Sequence, residues 1–307
     1  MKKTISAILL SGLLVMGMSS CHTASKIGRI NTNESNPENI DQKMTDSSAD
    51  PELLNGEYDP TTHMRYALND DGKSYSACPT GLPDVVKEFV IPGEYHGLPV
   101  TKIRGKCLAD SSIETIRISE GIQEISVLFD YCTGIKNIDI PASMVYIGGN
   151  IFQSRPTMGY PSFARANVIE KIVVAEGNPY YYVEGNCLID RRSEKIILGC
   201  SNSVLPDDGS VKRIGDDAFA NCKSIETVIL PKSIIEIENY AFVNCPNLKQ
   251  VYITSSVSED KKMINFDTEF TFEDGRQHIF YVPDTESLEI YSRIFESYHA
   301  KFEIGTP

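Results

Sequence analysis

Residues 214–222 read Ile214-Gly-Asp-Asp-Ala-Phe-Ala-Asn-Cys222, and nearly the same pattern occurs again later in the chain. It leads into Ile225-Glu-Thr-Val-Ile-Leu-Pro231. The second copy reads Ile237-Glu-Asn-Tyr-Ala-Phe-Val-Asn-Cys245 and leads into Leu248-Lys-Gln-Val-Tyr-Ile253. Three independent positions recur 23 residues apart: Ile214 and Ile237, Phe219 and Phe242, Cys222 and Cys245. A common spacing at three positions argues against chance periodicity and indicates a repeat protein.

The repeat extends upstream with almost the same period. Ile103, Ile125 and Ile147 are each 22 residues apart, and the 67 residues from Ile147 to Ile214 are close to three periods. Each unit also carries an apolar triplet with spacings of +3 and then +2. The triplets are Val86, Phe89, Ile91; Ile113, Ile116, Ile118; Ile135, Ile138, Ile140; Ile169, Ile172, Val174; Ile225, Val228, Leu230; and Leu248, Val251, Ile253.

The last two members of each triplet alternate with a residue that must point outward, which predicts a short strand. Proline often follows, as at Pro141 and Pro231, and stops the ladder. A second apolar pair comes next, such as Ile234 with Ile237, and then the Phe-x-x-Cys turn. Such a unit cannot fold alone, but stacked units bury a continuous core. We therefore expect an α/β-type, mostly β, right-handed solenoid of short parallel strands, similar to leucine-rich repeats.

The phrases Ile214-Gly-x-x-Ala-Phe-x-x-Cys-x-x-Ile-x-x-Val-x-Leu-Pro and Val183-Glu-Gly-Asn-Cys-Leu-Ile-Asp190 resemble the BspA-like leucine-rich repeats of bacterial surface proteins. The resemblance covers about residues 60–307 and implies roles in adhesion or host-protein contact. Residues 153–168 depart from it as an insertion without a repeat signature. Asp190 to Glu194 departs from it as a hairpin tip inside a repeat.

Both ends of the repeat domain carry predicted caps. Met64 to Cys78 is interpreted as a β-hairpin that turns at Asn69-Asp-Asp-Gly72. The tail from Ile279 resembles the C-terminal cap of the family, with a helix that Asp284 caps and that buries Leu288, Tyr291 and Phe295. We expect a leucine-rich repeat domain over 58–307, divided into an N-terminal cap (58–84), repeats (85–257) and a C-terminal cap (258–307).

The N-terminal residues predict where the protein is located in the cell. Residues 1–20 combine two lysines, an apolar stretch and small residues, as in a secretory signal peptide. Cys21 follows Ser19-Ser20 as in the lipobox of bacterial lipoproteins, which implies acylation at Cys21 and location in the outer membrane of a Gram-negative bacterium. Residues 21–57 are polar, have no aromatic residue, and predict a flexible tether. Whether the domain faces the periplasm or the cell surface is left open.

Charge and hydropathy exclude two classes of protein. The chain has 42 acidic and 29 basic residues and a net charge of −13, whereas a nucleic-acid binder needs a basic stripe. Beyond the signal peptide no apolar stretch is long enough to cross a membrane. We therefore expect contact with a membrane through the lipid anchor alone, and no nucleic acid.

The cysteines and histidines predict neither a metal site nor a cofactor. Phe129 and Cys132, Phe219 and Cys222, and Phe242 and Cys245 share one repeat position, so these three cysteines are predicted to be buried free thiols. Cys187 and Cys200 flank the internal hairpin and are better candidates for a disulfide than Cys222 and Cys245. No zinc spacing or catalytic motif occurs, and the four histidines after residue 57 are scattered at His63, His96, His278 and His299. The sequence therefore predicts a protein that is not an enzyme.

Two classes of function stay open: a scaffold that binds an extracellular protein, and an accessory lipoprotein that binds glycans. Tyr180-Tyr-Tyr182 invites a sugar-stacking site, although alternate tyrosines on a strand are also expected to be half-buried. The candidate binding face is the row of outward residues between the two core positions of each strand. It is mixed at Val90, Arg117 and Asp139 and apolar or aromatic at Val173, Ile197, Ile229, Tyr252 and Tyr281. Simpler interpretations of that row are β-propensity alone, or a face that the 153–168 insertion or a symmetric copy of the chain covers. The oligomeric state is not predicted.

Overall fold

The computed structural model describes residues 53, 55–80, 86–106, 112–128, 134–148, 169–200, 202–257, 264–266, 278–295 and 300–307. All of them lie in the compact unit Ser47–Pro307. The predictions for Cys21, for Phe129 and Cys132, for the signal peptide and for the 153–168 insertion concern residues outside this set. The sequence predicts a tether up to residue 57, but Leu53 is buried and the first strand already includes Glu57.

The described residues form a mostly β solenoid with 21 strands and one helix. The strands are β1 Glu57–Asp59, β2 Met64–Leu68, β3 Tyr75–Pro79, β4 Glu88–Ile91, β5 Glu94–Tyr95, β6 Leu98–Lys106, β7 Thr115–Ile118, β8 Glu124–Leu128, β9 Asn137–Ile140, β10 Tyr146–Ile147, β11 Lys171–Val174, β12 Tyr181–Glu184, β13 Cys187–Asp190, β14 Lys195–Leu198, β15 Arg213–Ile214, β16 Thr227–Leu230, β17 Glu236–Ile237, β18 Gln250–Ile253, β19 Asn265–Phe266, β20 His278–Val282 and β21 Ala300–Ile304. The helix α1 spans Thr285–Ile294.

These strands make four sheets, here numbered in chain order. Sheet I has the order β1-β2-β3-β6-β8-β10, with β5 paired to β6, and sheet II has the order β11-β9-β7-β4. Sheet III has the order β12-β13-β14-β15-β17-β19, and sheet IV has the order β16-β18-β20-β21. Successive repeats pair in parallel and in register, for example Ile116 with Ile138 and Val228 with Val251. The solenoid predicted from the repeat period is confirmed.

The alternation predicted from the apolar triplets determines burial in most strands of sheets II and IV, although Val174 at the end of β11 is only half-buried. In β4, Phe89 and Ile91 are buried and Val90 between them is exposed, and β16 shows the same pattern. The first member of a triplet, such as Ile113, is buried in the preceding connection. β4, β9, β16 and β20 each end at the residue before a proline, as expected for residues that cannot donate to the ladder.

The Phe-x-x-Cys turns stack on each other as well. The rings of Phe219 and Phe242 lie 5.1 Å apart and nearly parallel. The backbone N–H of Phe219 donates to Ala241 O at 2.7 Å, which links the turns of adjacent repeats. Asn221 and Asn244, which precede the cysteines, have φ values of 63° and 55°. Asparagine tolerates this left-handed conformation better than most residues, which explains its place in the motif.

Both predicted caps are present. β2 and β3 form an antiparallel hairpin, and Gly72 with φ of 62° closes its turn through a 2.9 Å bond from its N–H to Asn69 O. In the C-terminal cap, the Asp284 carboxylate accepts from the N–H of Ser287 at 2.7 Å, and Tyr291 of α1 is fully buried.

Candidate binding surface

Sheet II presents a charged row to solvent. Val90, Arg117, Asp139 and Val173 lie in register on neighbouring strands. Arg117 Nε lies 2.8 Å from a carboxylate oxygen of Glu88 and 3.6 Å from one of Asp139. Charges of this row are therefore paired across strands, in contacts that typically contribute about 0–1 kcal/mol each at an exposed surface.

A second charged row runs beside the first, at the positions just before the strands. Glu114 contacts Lys87 at 2.9 Å and Lys136 at 3.0 Å. The hydrogen bond from Lys87, followed by that from Lys136, lowers the pKa of the Glu114 carboxyl. Sheet II thus offers a surface whose charges alternate along the solenoid.

Sheet IV presents a different row, which we call the aromatic row: Ile229, Tyr252 and Tyr281. The three residues are in register, and Glu303 of β21 continues them. The rings of Tyr252 and Tyr281 stack with centroids 4.6 Å apart and an interplanar angle of 15°. Gln250 Nε2 donates to Tyr281 Oη at 3.4 Å, and Ile229 is 46% exposed. The outward side chains of this sheet carry no charge up to β21, where Lys301 pairs with Glu303.

The prediction of one contiguous row through Ile197 is wrong. Ile197 lies on β14, which belongs to sheet III, and it packs partly buried against the core. Among the described strands, β11 ends sheet II and β16 begins sheet IV without pairing to each other. The hairpin strands β12 to β14 cause this break, because they direct the chain into sheet III between the two rows. The candidate face therefore consists of two separate rows.

The three consecutive tyrosines serve the structure instead of forming an open stacking platform. Tyr181 is buried, and its hydroxyl accepts from Ile147 N at 3.0 Å and from Arg192 Nη2 at 2.8 Å. Arg192 also lies over the ring of Tyr180, and Arg191 lies over that of Tyr182 at 4.1 Å. Burial is the main cause that raises the pKa of Tyr181 to about 12. Guanidinium groups thus occupy ring faces that a sugar would need.

Cys187 and Cys200 do not form the predicted disulfide, because both are buried free thiols. The Cys187 thiol points toward the carbonyl oxygens of Gly185 and Val204, both at 3.8 Å. The Cys200 thiol instead contacts Asn202 Oδ1 at 2.9 Å. Burial raises the pKa of Cys187 to about 12, so this thiol is a poor nucleophile at neutral pH.

Cys222 and Cys245 are buried free thiols, as predicted from their repeat position. Cys245 Sγ donates to Phe219 O at 3.2 Å, and this contact joins adjacent repeats. Cys78, in contrast, is held in a disulfide, which the sequence interpretation did not foresee. The signal that was available is its place on β3, at the cap of a domain with a predicted secretory signal.

The described part of the chain contains no group of three or more His, Cys, Asp or Glu side chains arranged to hold a metal ion. His63, His96 and His278 lie in separate segments, and His299 is outside the described residues. None of the helices in the described residues has the length and hydropathy that a membrane span requires. The sequence interpretation also missed Arg191 and Arg192, whose proximity to Tyr180-Tyr-Tyr182 becomes visible only once the hairpin is folded.

Comparison with known proteins identifies the family. The BspA type leucine rich repeat region matches residues 89–172 and 198–298 in six copies. The chain therefore belongs to the BspA-type leucine-rich repeat family. No curated protein matches the chain.

Solved structures of bacterial leucine-rich repeat proteins also match parts of the chain. One from Treponema pallidum is 17% identical, with a TM-score of 0.35, over 82% of this chain and 100% of that one. One from Eubacterium ventriosum is 15% identical, with a TM-score of 0.32, over 63% and 71%. One from Bacteroides ovatus is 16% identical, with a TM-score of 0.33, over 73% and 55%.

Proposed function

We propose that this protein is a non-enzymatic, lipid-anchored scaffold of the cell envelope that binds an extracellular protein through sheet IV. The observation that carries the proposal is the aromatic row, in which two stacked tyrosines and an exposed isoleucine lie on one regular surface. Tyrosine is favoured as an anchor at protein interfaces because it buries a large area and keeps a hydroxyl for hydrogen bonding. A solenoid presents such side chains on a rigid, extended face.

The surroundings of the aromatic row suit a protein partner that is neutral where it makes contact. Gln250 and Thr227 flank the row and offer hydrogen-bonding groups without charge. Sheet II, with alternating charges around Arg117 and Asp139, would favour some partners over others through electrostatic complementarity rather than add much affinity. Glycan binding is the alternative class, and the covered rings of Tyr180 and Tyr182 speak against it at that site.

The binding test replaces Ile229 by Asp and Tyr252 by Ala together. We expect at least about 30-fold weaker binding to a protein identified from an extracellular-matrix panel, the effect of losing about 2 kcal/mol at an interface hot spot. The melting temperature should change little, because both side chains reach the surface. Val204→Asp is the matched control, since Val204 is 70% exposed and lies outside the sheets. Normal binding by the double variant contradicts the proposal, and binding to a glycan array alone selects the alternative.

The anchor belongs to the same proposal and rests on the sequence. Lys2 and Lys3, the apolar stretch, and Cys21 after two serines support acylation and location in the outer membrane of a Gram-negative bacterium. We predict that Cys21→Ser abolishes incorporation of labelled palmitate in cells, whereas Cys222→Ser leaves it unchanged. Undiminished label in the first variant contradicts the anchor. Protease treatment of intact cells then distinguishes the cell surface from the periplasm.

A further inference from the structure

We propose that β21, the last strand of sheet IV, pairs antiparallel with β21 of a second copy of this chain to form a two-fold symmetric dimer. In the described part of the chain, β21 pairs with β20 alone and ends the sheet. A strand at the end of a sheet presents backbone N–H and C=O groups that can pair with another chain. The direction of the backbone groups, the charges and the exposed apolar side chains of β21 point to a second copy of this chain as the occupant of this edge.

The direction of the backbone groups shows which residues face the open edge. Gly305 N donates to Val282 O at 3.0 Å, so the backbone of Gly305 faces β20. Because backbone N–H and C=O groups alternate in direction along a strand, those of Lys301 and Glu303 also point toward β20. The backbone groups of Ala300, Phe302 and Ile304 point away from β20, toward the open edge. Antiparallel pairing centred on Phe302 would therefore join Phe302 to its own symmetry copy through two hydrogen bonds. Ala300 and Ile304 of the two copies would supply four more.

The side chains of β21 are self-complementary in that register. With Phe302 on the two-fold axis, Lys301 of one copy lies opposite Glu303 of the other, and the reverse pair forms on the other side. These are non-hydrogen-bonded positions, where opposed side chains come closest and opposite charges are favoured. Both charged groups lie on the outward face of the sheet, where Lys301 now pairs with Glu303 of its own strand. A partner of unrelated sequence would not supply this alternation.

Apolar side chains at the same end of the solenoid are left for a partner to cover. Ile304 on β21 is 53% exposed, and Ile294 in the last turn of α1 is 43% exposed. Phe302 is only partly buried against Phe280 and Tyr291, at ring distances of 5.1 and 5.6 Å. In the proposed register Ile304 lies opposite Ala300 of the second copy, so a large side chain meets a small one. The dimer would thus extend the core across the axis.

The test uses two opposite charge reversals in the complete chain, purified in detergent and studied by sedimentation. The unmodified chain should form a dimer as its concentration rises. Lys301→Glu places acidic groups opposite each other, and Glu303→Lys places basic groups opposite each other, so each variant alone should be monomeric. An equimolar mixture of the two should dimerise again, because each strand then meets charges of the other sign.

The mixture distinguishes the proposed contact of Lys301 with Glu303 of the second copy from the contact of these two residues within one chain. Both variants lose the contact of Lys301 with Glu303 of the same strand, and mixing cannot restore that contact. Circular dichroism confirms that both variants are folded, as expected for exposed positions. A monomeric unmodified chain at every concentration would overturn the proposal. So would a dimer that survives in either single variant, or a mixture that stays monomeric.

Discussion

At the scale of single residues, the turn between β12 and β13 shows how two positions determine a hairpin. Gly185 and Asn186 both have positive φ values, 53° and 58°, which is the combination of a two-residue type I′ turn. Asn186 also donates to Glu170 O at 2.8 Å and so ties the turn to the preceding repeat. A Cβ atom at residue 185 would lie 1.9 Å from Val204 O, so glycine is required there for space as well as for conformation.

The first prediction compares two glycines. Gly185→Ala should lower the free energy of unfolding by about 2–5 kcal/mol, from left-handed strain of about 1–2 and steric overlap of about 1–3. Gly209→Ala is the control: φ is 88° there, and nothing lies within 4 Å of the added Cβ. It should lose only about 1–2 kcal/mol. Urea unfolding of both variants checks this, and equal losses would show that contact with Val204 carries no cost.

At the scale of elements, the hairpin strands β12 to β14 interrupt the stack of repeats. Side chains of the same hairpin bond the backbone groups that the interruption leaves unpaired. β10 is the last strand of sheet I among the described residues, so its outer backbone groups need partners from elsewhere. The Tyr181 hydroxyl accepts from Ile147 N at 3.0 Å, and Arg192 Nη1 donates to Val145 O at 3.0 Å. Asp190 accepts from Arg192 Nε at 3.0 Å and holds the guanidinium in place. These side chains substitute for a missing strand.

The second prediction concerns the side-chain hydrogen bonds that take the place of a strand beside β10. Tyr181→Phe should leave the buried N–H of Ile147 without its acceptor, which costs about 1–3 kcal/mol. Hydrogen exchange at Ile147 should become faster, while amides of β16 and β18 stay unchanged. Tyr182→Phe is the control, because the Tyr182 hydroxyl contacts Ser210 Oγ at 3.1 Å and not β10. Unchanged exchange at Ile147 in Tyr181→Phe would show that water or another group satisfies this amide.

At the scale of the whole molecule, the same hairpin divides the interior into two cores. Leu188 and Leu198 belong to the core of sheets I and II, whereas Cys187, Ile189 and Ile196 belong to the core of sheets III and IV. β13 is therefore buried on both faces and separates the two cores. Because each repeat of a solenoid contacts only its neighbours, a change in one core should be transmitted weakly to the other.

The third prediction uses equivalent residues of the two cores. Ile125 and Ile237 occupy the same repeat position and are buried to within 1% of full burial. Replacing either by Ala should cost about 2–5 kcal/mol through lost burial and a cavity. Hydrogen exchange should increase around β15 to β18 for Ile237→Ala and around β6 to β9 for Ile125→Ala. Uniformly faster exchange across both halves in either variant would show that the molecule unfolds as one unit.

Features that depend on neighbours along the chain could be predicted from the residues alone. The period of 22–23 residues, the alternation in β4 and β16, the turn at Gly72 and the helix cap at Asp284 follow from local spacing, and the structure confirms them. The aromatic row is also read from alternation within strands, although its role in binding stays a prediction.

Features that join distant residues depend on contacts that form only when the chain folds. Ile197 left the predicted row because β14 pairs with β15 of sheet III, and Cys187 and Cys200 stayed apart because their thiols meet different carbonyl and amide groups. Arg192 reaches Val145, 47 residues earlier, which no spacing rule indicates. An inserted hairpin has the same alternating pattern whichever sheet it joins. Its place is chosen by the backbone groups and core surfaces that the neighbouring repeats leave unsatisfied, and these exist only once the chain has folded.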